Sequence, residues 1–173
     1  MLDAAKYFAV EMLRDGRRIE IRAFRPEDRA DFLAAVDRVG PRSRYLRFFT
    51  LKRSFTEREE EYFLNIDFDK HVALVALMEE AGRKVIVGGG RYIGVAPGKA
   101  EVAFAVIDPY QGQGIGAVLI RHLVVIARAA GLTELIAEVL PENKPMLKVF
   151  EKCGLPMSIT PEADVVHVTL RLG

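Results

Sequence analysis

Strict alternation over Arg18-Ile19-Glu20-Ile21-Arg22 predicts a half-buried strand. Pro26-Glu27-Asp28 then opens a helix, since proline suits a first turn and two acids suit the positive end of the helix dipole. Phe32, Leu33, Val36 and Val39 give that helix an apolar stripe, which Gly40-Pro41 stops. Further helical stretches are predicted around Ser43–Phe49 and from the capping box Thr56-Glu57-Arg58-Glu59. The period then changes. His71–Met78 is a continuous apolar run, and after a polar loop of hairpin length comes Lys84–Ile93, a strand interrupted by Gly88-Gly89-Gly90. Lys99–Ile107 reads as another strand behind the turn Ala96-Pro97-Gly98. Ile115–Ala130 reads as a long helix closed by Gly131, Leu132–Leu140 as a strand and Asn143–Lys152 as a helix closed by Gly154. Val165–Leu172 is the last predicted strand. Residues 1–16, ending on the turn signal Arg14-Asp15-Gly16, are expected to be an N-terminal extension. The order predicts a mixed α/β (α+β) domain over 1–173, without linker or repeat.

Composition narrows this little. At 173 residues the chain has the length of one core, and 50% hydrophobic with 28% charged residues excludes a disordered or fibrous chain. Lys plus Arg (25) almost cancels Asp plus Glu (24), so the formal charge of +1 gives no global reason to expect nucleic acid as a partner. One cysteine makes no intrachain disulfide, and with His71, His122 and His167 it offers no metal-binding spacing. No apolar run reaches the roughly 18 residues of a membrane helix, and Met1–Gly16 lacks the core and cleavage site of a signal peptide. A cytoplasmic protein without membrane partner is expected.

The informative stretch runs from Val102 to Ala117: a strand, the loop Asp108-Pro-Tyr-Gln-Gly-Gln-Gly-Ile-Gly116, then a helix. Glycines at 112, 114 and 116 lack Cβ atoms, so backbone N–H groups can converge on an anion at the helix N-terminus. Phosphate is the leading ligand class. A P-loop fails, because no Lys-Ser/Thr follows the last glycine. A dinucleotide fingerprint, Gly112-x-Gly114-x-x-Ala117, is present in form, but Asp108–Gln111 separates it from the strand and too little chain follows. A tight turn serving helix packing alone also satisfies the pattern.

Gln111-Gly112-Gln113-Gly114-Ile115-Gly116 resembles the Gln/Arg-x-x-Gly-x-Gly/Ala signature of the GNAT N-acetyltransferases. The likeness spans nearly the whole chain in the family's order of elements and includes the later segment from Asn143 to Lys152-Cys153-Gly154-Leu155. It implies the acyl-CoA N-acyltransferase fold, with a mixed, mostly antiparallel central sheet and helices on both faces. It further implies acetyl-CoA as acyl donor. The amides of Gly112, Gln113, Gly114, Ile115 and Gly116 would then hold the pyrophosphate, the Val106 backbone would pair with the pantetheine arm, and Gln111 and Asn143 would be further cofactor-binding residues. The strand Leu132–Leu140 would splay from its neighbour to open a slot for that arm.

Direct transfer to an amine needs the amine neutral, and a lysine of pKa about 10.4 is neutral only about once in 2,500 at pH 7. A carboxylate beside the slot removes that handicap. Glu101, the one acid between Glu80 and Asp108, lies five residues before Val106, roughly 16 Å along a strand, and the family often places its base at this strand position. A solvent-facing residue at a strand start is the competing reading. Tyr110, Glu138 and Glu142 are weaker candidates. The tyrosine that often protonates the departing thiolate in the family corresponds here to Phe150, which has no proton to give. Cys153 reads as a buried small hydrophobe, since direct transfer needs no nucleophile.

Ser43-Arg44-Tyr45-Leu46-Arg47-Phe48-Phe49 resembles a stretch of the protein-lysine acetyltransferases that silence acyl-CoA synthetases. Pro145-Met146-Leu147 and the ending from Val165 to Leu172 also look like that subgroup. The resemblance implies a protein substrate such as an acyl-CoA synthetase. Arg38, Arg42, Arg44, Arg47, Lys52 and Arg53, with no acid between Asp37 and Glu57, fit steering of an acidic protein surface and equally a solvated helix face. A small-molecule amine acetyltransferase and a catalytically silent acyl-CoA-binding module are the alternatives.

Overall fold

The computed structural model describes residues 2–38, 66–162 and 164–173. Its frame is an eight-stranded sheet: β1 (Phe8–Met12), β2 (Arg18–Ala23), β3 (His71–Glu80), β4 (Arg83–Ala96), β5 (Lys99–Val106), β6 (Glu134–Val139), β7 (Met157–Glu162) and β8 (Val165–Arg171). The spatial order is β1-β2-β3-β4-β5-β6-β8-β7, antiparallel at every join except β5–β6, which is parallel. The described helices are α1 (Arg29–Asp37), α2 (Ile115–Ala129) and α3 (Lys144–Lys152). The predicted helices around Ser43–Phe49 and after Thr56, with Arg42, Arg44, Arg47, Lys52 and Arg53, lie outside the described residues.

Three features differ from the sequence reading. The stretch expected to be an extension supplies the edge strand β1, paired with β2 from Phe8↔Arg22 to Met12↔Arg18. The segment before β8 forms a second strand, β7, on the opposite edge. Gly88-Gly89-Gly90 does not interrupt β4; the three glycines pair in register with Val106, Ala105 and Phe104. The role of Gly88 and Gly90 is packing. A Cβ on Gly90 would stand 2.9 Å from Leu123 Cδ1, and one on Gly88 would meet the Ala105 carbonyl at 3.0 Å. The missing side chains let α2 lie directly on the sheet.

That face holds most of the core. Leu119, Ile120, Leu123 and Ile126 of α2 are almost fully buried, each contributing about 1.5–3 kcal/mol by leaving water. The opposite face takes α1, where the Arg91 guanidinium stands over the Phe32 ring at 5.9 Å. Helices therefore cover both faces of the sheet. At the entry to α1, Arg22 makes a two-point ion pair with the buried Asp28, at 2.7 and 2.9 Å, and the Arg25 amide donates to the same carboxylate. Burial pushes the Asp28 carboxyl up, but these donors outweigh it and hold the group below its ordinary value. No helix among the described residues is long and apolar enough to cross a membrane.

Candidate active site

Where β5 meets β6 the sheet forks. The two strands pair only at Lys99↔Glu134, Ala100↔Leu135 and Glu101↔Ile136, whereas β6 stays paired with β8 up to Val139↔Val166. From Val102 onward β5 has no partner on its β6 side among the described residues. One strand of a parallel pair therefore offers free backbone donors and acceptors along a slot. Glu101 stands at the last shared position, its side chain exposed. It pairs with Ile93 and so shares the face of Arg91 and α1, while Phe104 points to the opposite face, beneath α2 and α3.

At the far end of β5 the chain turns into the glycine loop. Gly112 and Gly114 have φ of 78° and 90°, and Gly114 is the left-handed residue that starts α2. No side chain caps this helix, and Val118 N–H makes the bond to the Gly114 carbonyl. The amides of Ile115, Gly116 and Ala117 thus stand ahead of the helical ladder at its positive end. Gly116 serves a different purpose from its neighbours. Its backbone is helical, and a Cβ there would meet Phe104 Cε2 at 3.0 Å, so packing rather than amide exposure excludes a side chain.

The loop is held from several directions. Tyr110 OH donates to Glu80 at 2.7 Å, and Arg38 grips the same carboxylate at 3.0 and 2.9 Å. The Arg38 guanidinium first, and Tyr110 second, hold the Glu80 carboxyl below its usual range. Burial and the Glu80 contact push the Tyr110 phenol up, so it remains a donor. Gln111 Nε2 donates to the Val106 carbonyl (2.9 Å) and to Asp108 (3.1 Å), folding the loop back onto the strand end. Gln113 bonds the Pro109 carbonyl at 3.1 Å and accepts from Arg17, which Asp15 fixes.

A cavity of about 770 Å³ opens over this loop, within the range of small-molecule sites. Phe104, Ala105 and Val106 form its floor with residues 110–117, α3 forms one wall, and Leu13, Arg14 and Asp15 form another. The structure thus brings together Val106, Gln111, Gly112, Gln113, Gly114, Ile115, Gly116 and Asn143. Asn143 is buried and caps α3 through the Met146 amide at 3.4 Å. Glu101 is not part of this cavity; it lies at the fork, five residues along the strand. Tyr110 is committed to Glu80, while Glu138 and Glu142 are exposed. Phe150 is fully buried and meets Phe104 edge-on at 5.6 Å, so this position offers neither proton nor access. Cys153 is half-buried rather than buried, its thiol donating to the Phe150 carbonyl. Among the described residues no cluster of three His, Cys, Asp or Glu side chains is placed to hold a metal.

The β1–β2 turn is the part of the cavity that sequence reasoning missed. Arg14-Asp15-Gly16 was legible only as a turn, and nothing local connects it with residues 110–114, about a hundred positions away.

Comparison with known proteins agrees with this fold. Residues 42–155 match the model of the acetyltransferase (GNAT) family. The chain is 35% identical over 138 residues to an acetyltransferase of Pseudomonas aeruginosa, covering 79% of this chain and 74% of that protein. It is 34% identical over 112 residues to the acetyltransferase Pat of Mycolicibacterium smegmatis, 64% of this chain but 33% of that longer protein. The crystal structure of the GNAT domain of S. lividans PAT superposes with a TM-score of 0.85 at 30% identity, covering 95% of this chain and 96% of that one.

Proposed function

The chain belongs to the GNAT acetyltransferase family, and from that premise we propose that it moves an acetyl group from acetyl-CoA directly to a protein lysine, with Glu101 as general base. The observation that carries this reading is the forked strand: phosphate-type donors at one end of a free backbone edge and an exposed carboxylate at the other. Likeness to two acetyltransferases named Pat, taken with the resemblance of Ser43–Phe49 to the protein-lysine acetyltransferases, supports a protein acceptor of the acyl-CoA synthetase type.

The residues fit a phosphate-bearing donor. The loop amides from Gly112 to Gly116 meet the pyrophosphate, and the positive end of α2 favours its charge. The free edge of β5 near Val106 hydrogen-bonds the pantetheine arm as an added strand would, once Gln111 shares or yields the Val106 carbonyl. Asn143, locked as the cap of α3, keeps that helix as the wall. Acetyl-CoA, when bound, supplies the thioester carbonyl that the amine attacks. Glu101 takes the ammonium proton, directly or through a water, at the fork. Keeping a lysine charged at pH 7 costs the reaction about 4.6 kcal/mol, which a placed carboxylate offsets. Phe150 leaves the coenzyme A thiolate to depart unassisted or to take its proton from water.

The test has two stages. Calorimetric titration with acetyl-CoA, with NADH as the control ligand, is expected to show binding of the first alone. Transfer to lysines of acyl-CoA synthetases is then followed for the wild type and Glu101→Gln. Retained acetyl-CoA affinity with turnover lowered roughly 10²–10³-fold is the expected result. Unchanged turnover removes Glu101 from its role, and absence of transfer to any lysine leaves a small-amine acetyltransferase or a silent donor-binding module, which transfer to small amines distinguishes.

A further inference from the structure

Two kinds of cation surround the glycine loop. Arg17 and Arg38 are neutralised within the chain, by Asp15 at 2.7 Å and by Glu80 at 2.9 Å. Arg14, Lys148 and Lys152 are exposed, line the cavity, and make no ion pair among the described residues. Arg14 comes from the β1–β2 turn on one wall, the lysines from α3 on the other. Lys148 and Lys152 are four apart, so they stand one turn above each other on one helix face, an arrangement in which like charges repel. The nearest acid on the Arg14 side, Asp15, is committed to Arg17 through two hydrogen bonds. The cavity therefore presents a surplus of positive charge on two walls that the chain itself does not use.

Building on the acetyl-CoA reading, we infer that Arg14, Lys148 and Lys152 clamp the ribose 3′-phosphate of the donor and select coenzyme A over its dephosphorylated form. The loop amides are a fixed array aimed at one anionic group, the pyrophosphate. A second, monoester phosphate carries up to two further charges at neutral pH and needs donors elsewhere. Long flexible side chains suit it, lysine acting as a point charge and arginine as a planar fork. Because the three heads are wet, each contributes modestly, and together they give a preference of roughly tenfold.

The experiment compares acetyl-CoA with acetyl-(3′-dephospho)-CoA by calorimetry, in the wild type, in Lys148→Gln/Lys152→Gln and in that variant with Arg14→Gln added. The wild type is expected to prefer acetyl-CoA roughly tenfold, and the triple variant to bind both ligands alike, with affinity for the dephospho form changed less than about threefold. Lys148→Arg/Lys152→Arg, which keeps the charge, is expected to retain the preference. Thermal melts of each variant verify the fold. Equal weakening toward both ligands assigns the cations to the shared pyrophosphate and overturns the inference. Unchanged preference in the triple variant makes them a solvated face and overturns it too. If the wild type binds both ligands equally, only the clamp fails. If it binds neither, the acetyl-CoA reading falls with it.

Discussion

The two ends of β5 are built on opposite principles. At the loop end the side chains that shape the loop are tied down: Tyr110 and Arg38 on Glu80, Gln111 on Val106 and Asp108, Arg17 between Asp15 and Gln113. Beneath them Phe104, Phe150 and Gly116 interlock. At the fork Glu101 is exposed and makes no side-chain hydrogen bond or ion pair among the described residues. On the proposed function the contrast separates two tasks. A site for a small, invariant ligand gains from preorganisation, because each side chain fixed beforehand lowers the entropy lost on binding. A site that meets a second protein needs an open approach and one reactive group. Changes to the tied-down groups of the loop end should therefore act on donor affinity and stability together, and changes at the fork on turnover alone.

The sharpest break of this contrast is Glu101→Gln, with the roughly 10²–10³-fold loss of turnover stated above, and its melting temperature should not move. Next in size is Gly116→Val. A β-branched side chain at a helical position 3.0 Å from Phe104 overpacks the joint between α2 and β5. The expected cost is about 1–3 kcal/mol of stability, with donor affinity falling alongside it. Gly114→Ala probes the same loop by another route: its Cβ meets open space, but φ of 90° strains it, costing about 1–2 kcal/mol. Thermal melts and acetyl-CoA titrations on both variants check this. A Gly116 variant that loses affinity without losing stability would dissolve the coupling claimed for the loop end.

Much of this contrast was legible in the sequence, and what was not has physical causes. The loop and Glu101 announce themselves because backbone chemistry there is local: glycines at fixed spacing and one acid in a long apolar stretch. The edges were not legible. In β1 it is Phe8, Val10 and Met12 that face solvent, while Tyr7 and Glu11 turn inward to bond His122. Its apolar alternation therefore runs opposite to the burial that such a pattern normally reports. β7 is short, nearly all exposed and contains Pro161, so propensity argues against a strand that only its pairing with β8 secures. The glycine triplet in β4 looks like a break because the cause of it, the close approach of Leu123, lies far along the chain. Arg14 and Lys148, on facing walls of one cavity, are invisible as a pair for the same reason.

Tyr110→Phe is a milder probe of the loop end. It removes one hydrogen bond from Glu80 while Arg38 still holds the carboxylate. The stability cost is expected near 1 kcal/mol, with donor affinity lowered a fewfold. A larger loss of affinity than of stability would mean that the phenol also serves the ligand directly.

The gentlest probe is pH. The Glu80 carboxyl is held below its ordinary value in the folded chain, by Arg38 first and Tyr110 second. A depressed folded value means that the unfolded chain takes up the proton first as pH falls. The stability Glu80 contributes is therefore complete above its ordinary pKa, about 4.3, and is lost as pH drops through the lower folded value. In Glu80→Gln that contribution is absent at every pH. The melting temperatures of wild type and variant should differ at pH 7, and the gap should narrow only below about pH 4. Asp28 titrates in the same range, but it is present in both proteins and cancels in the difference. Arg38 and Glu80 are both partly exposed, so added salt should shrink the gap at pH 7 as well. A gap independent of pH would mean that Glu80 acts through shape rather than charge, and that the loop end is held by packing of Tyr110 alone.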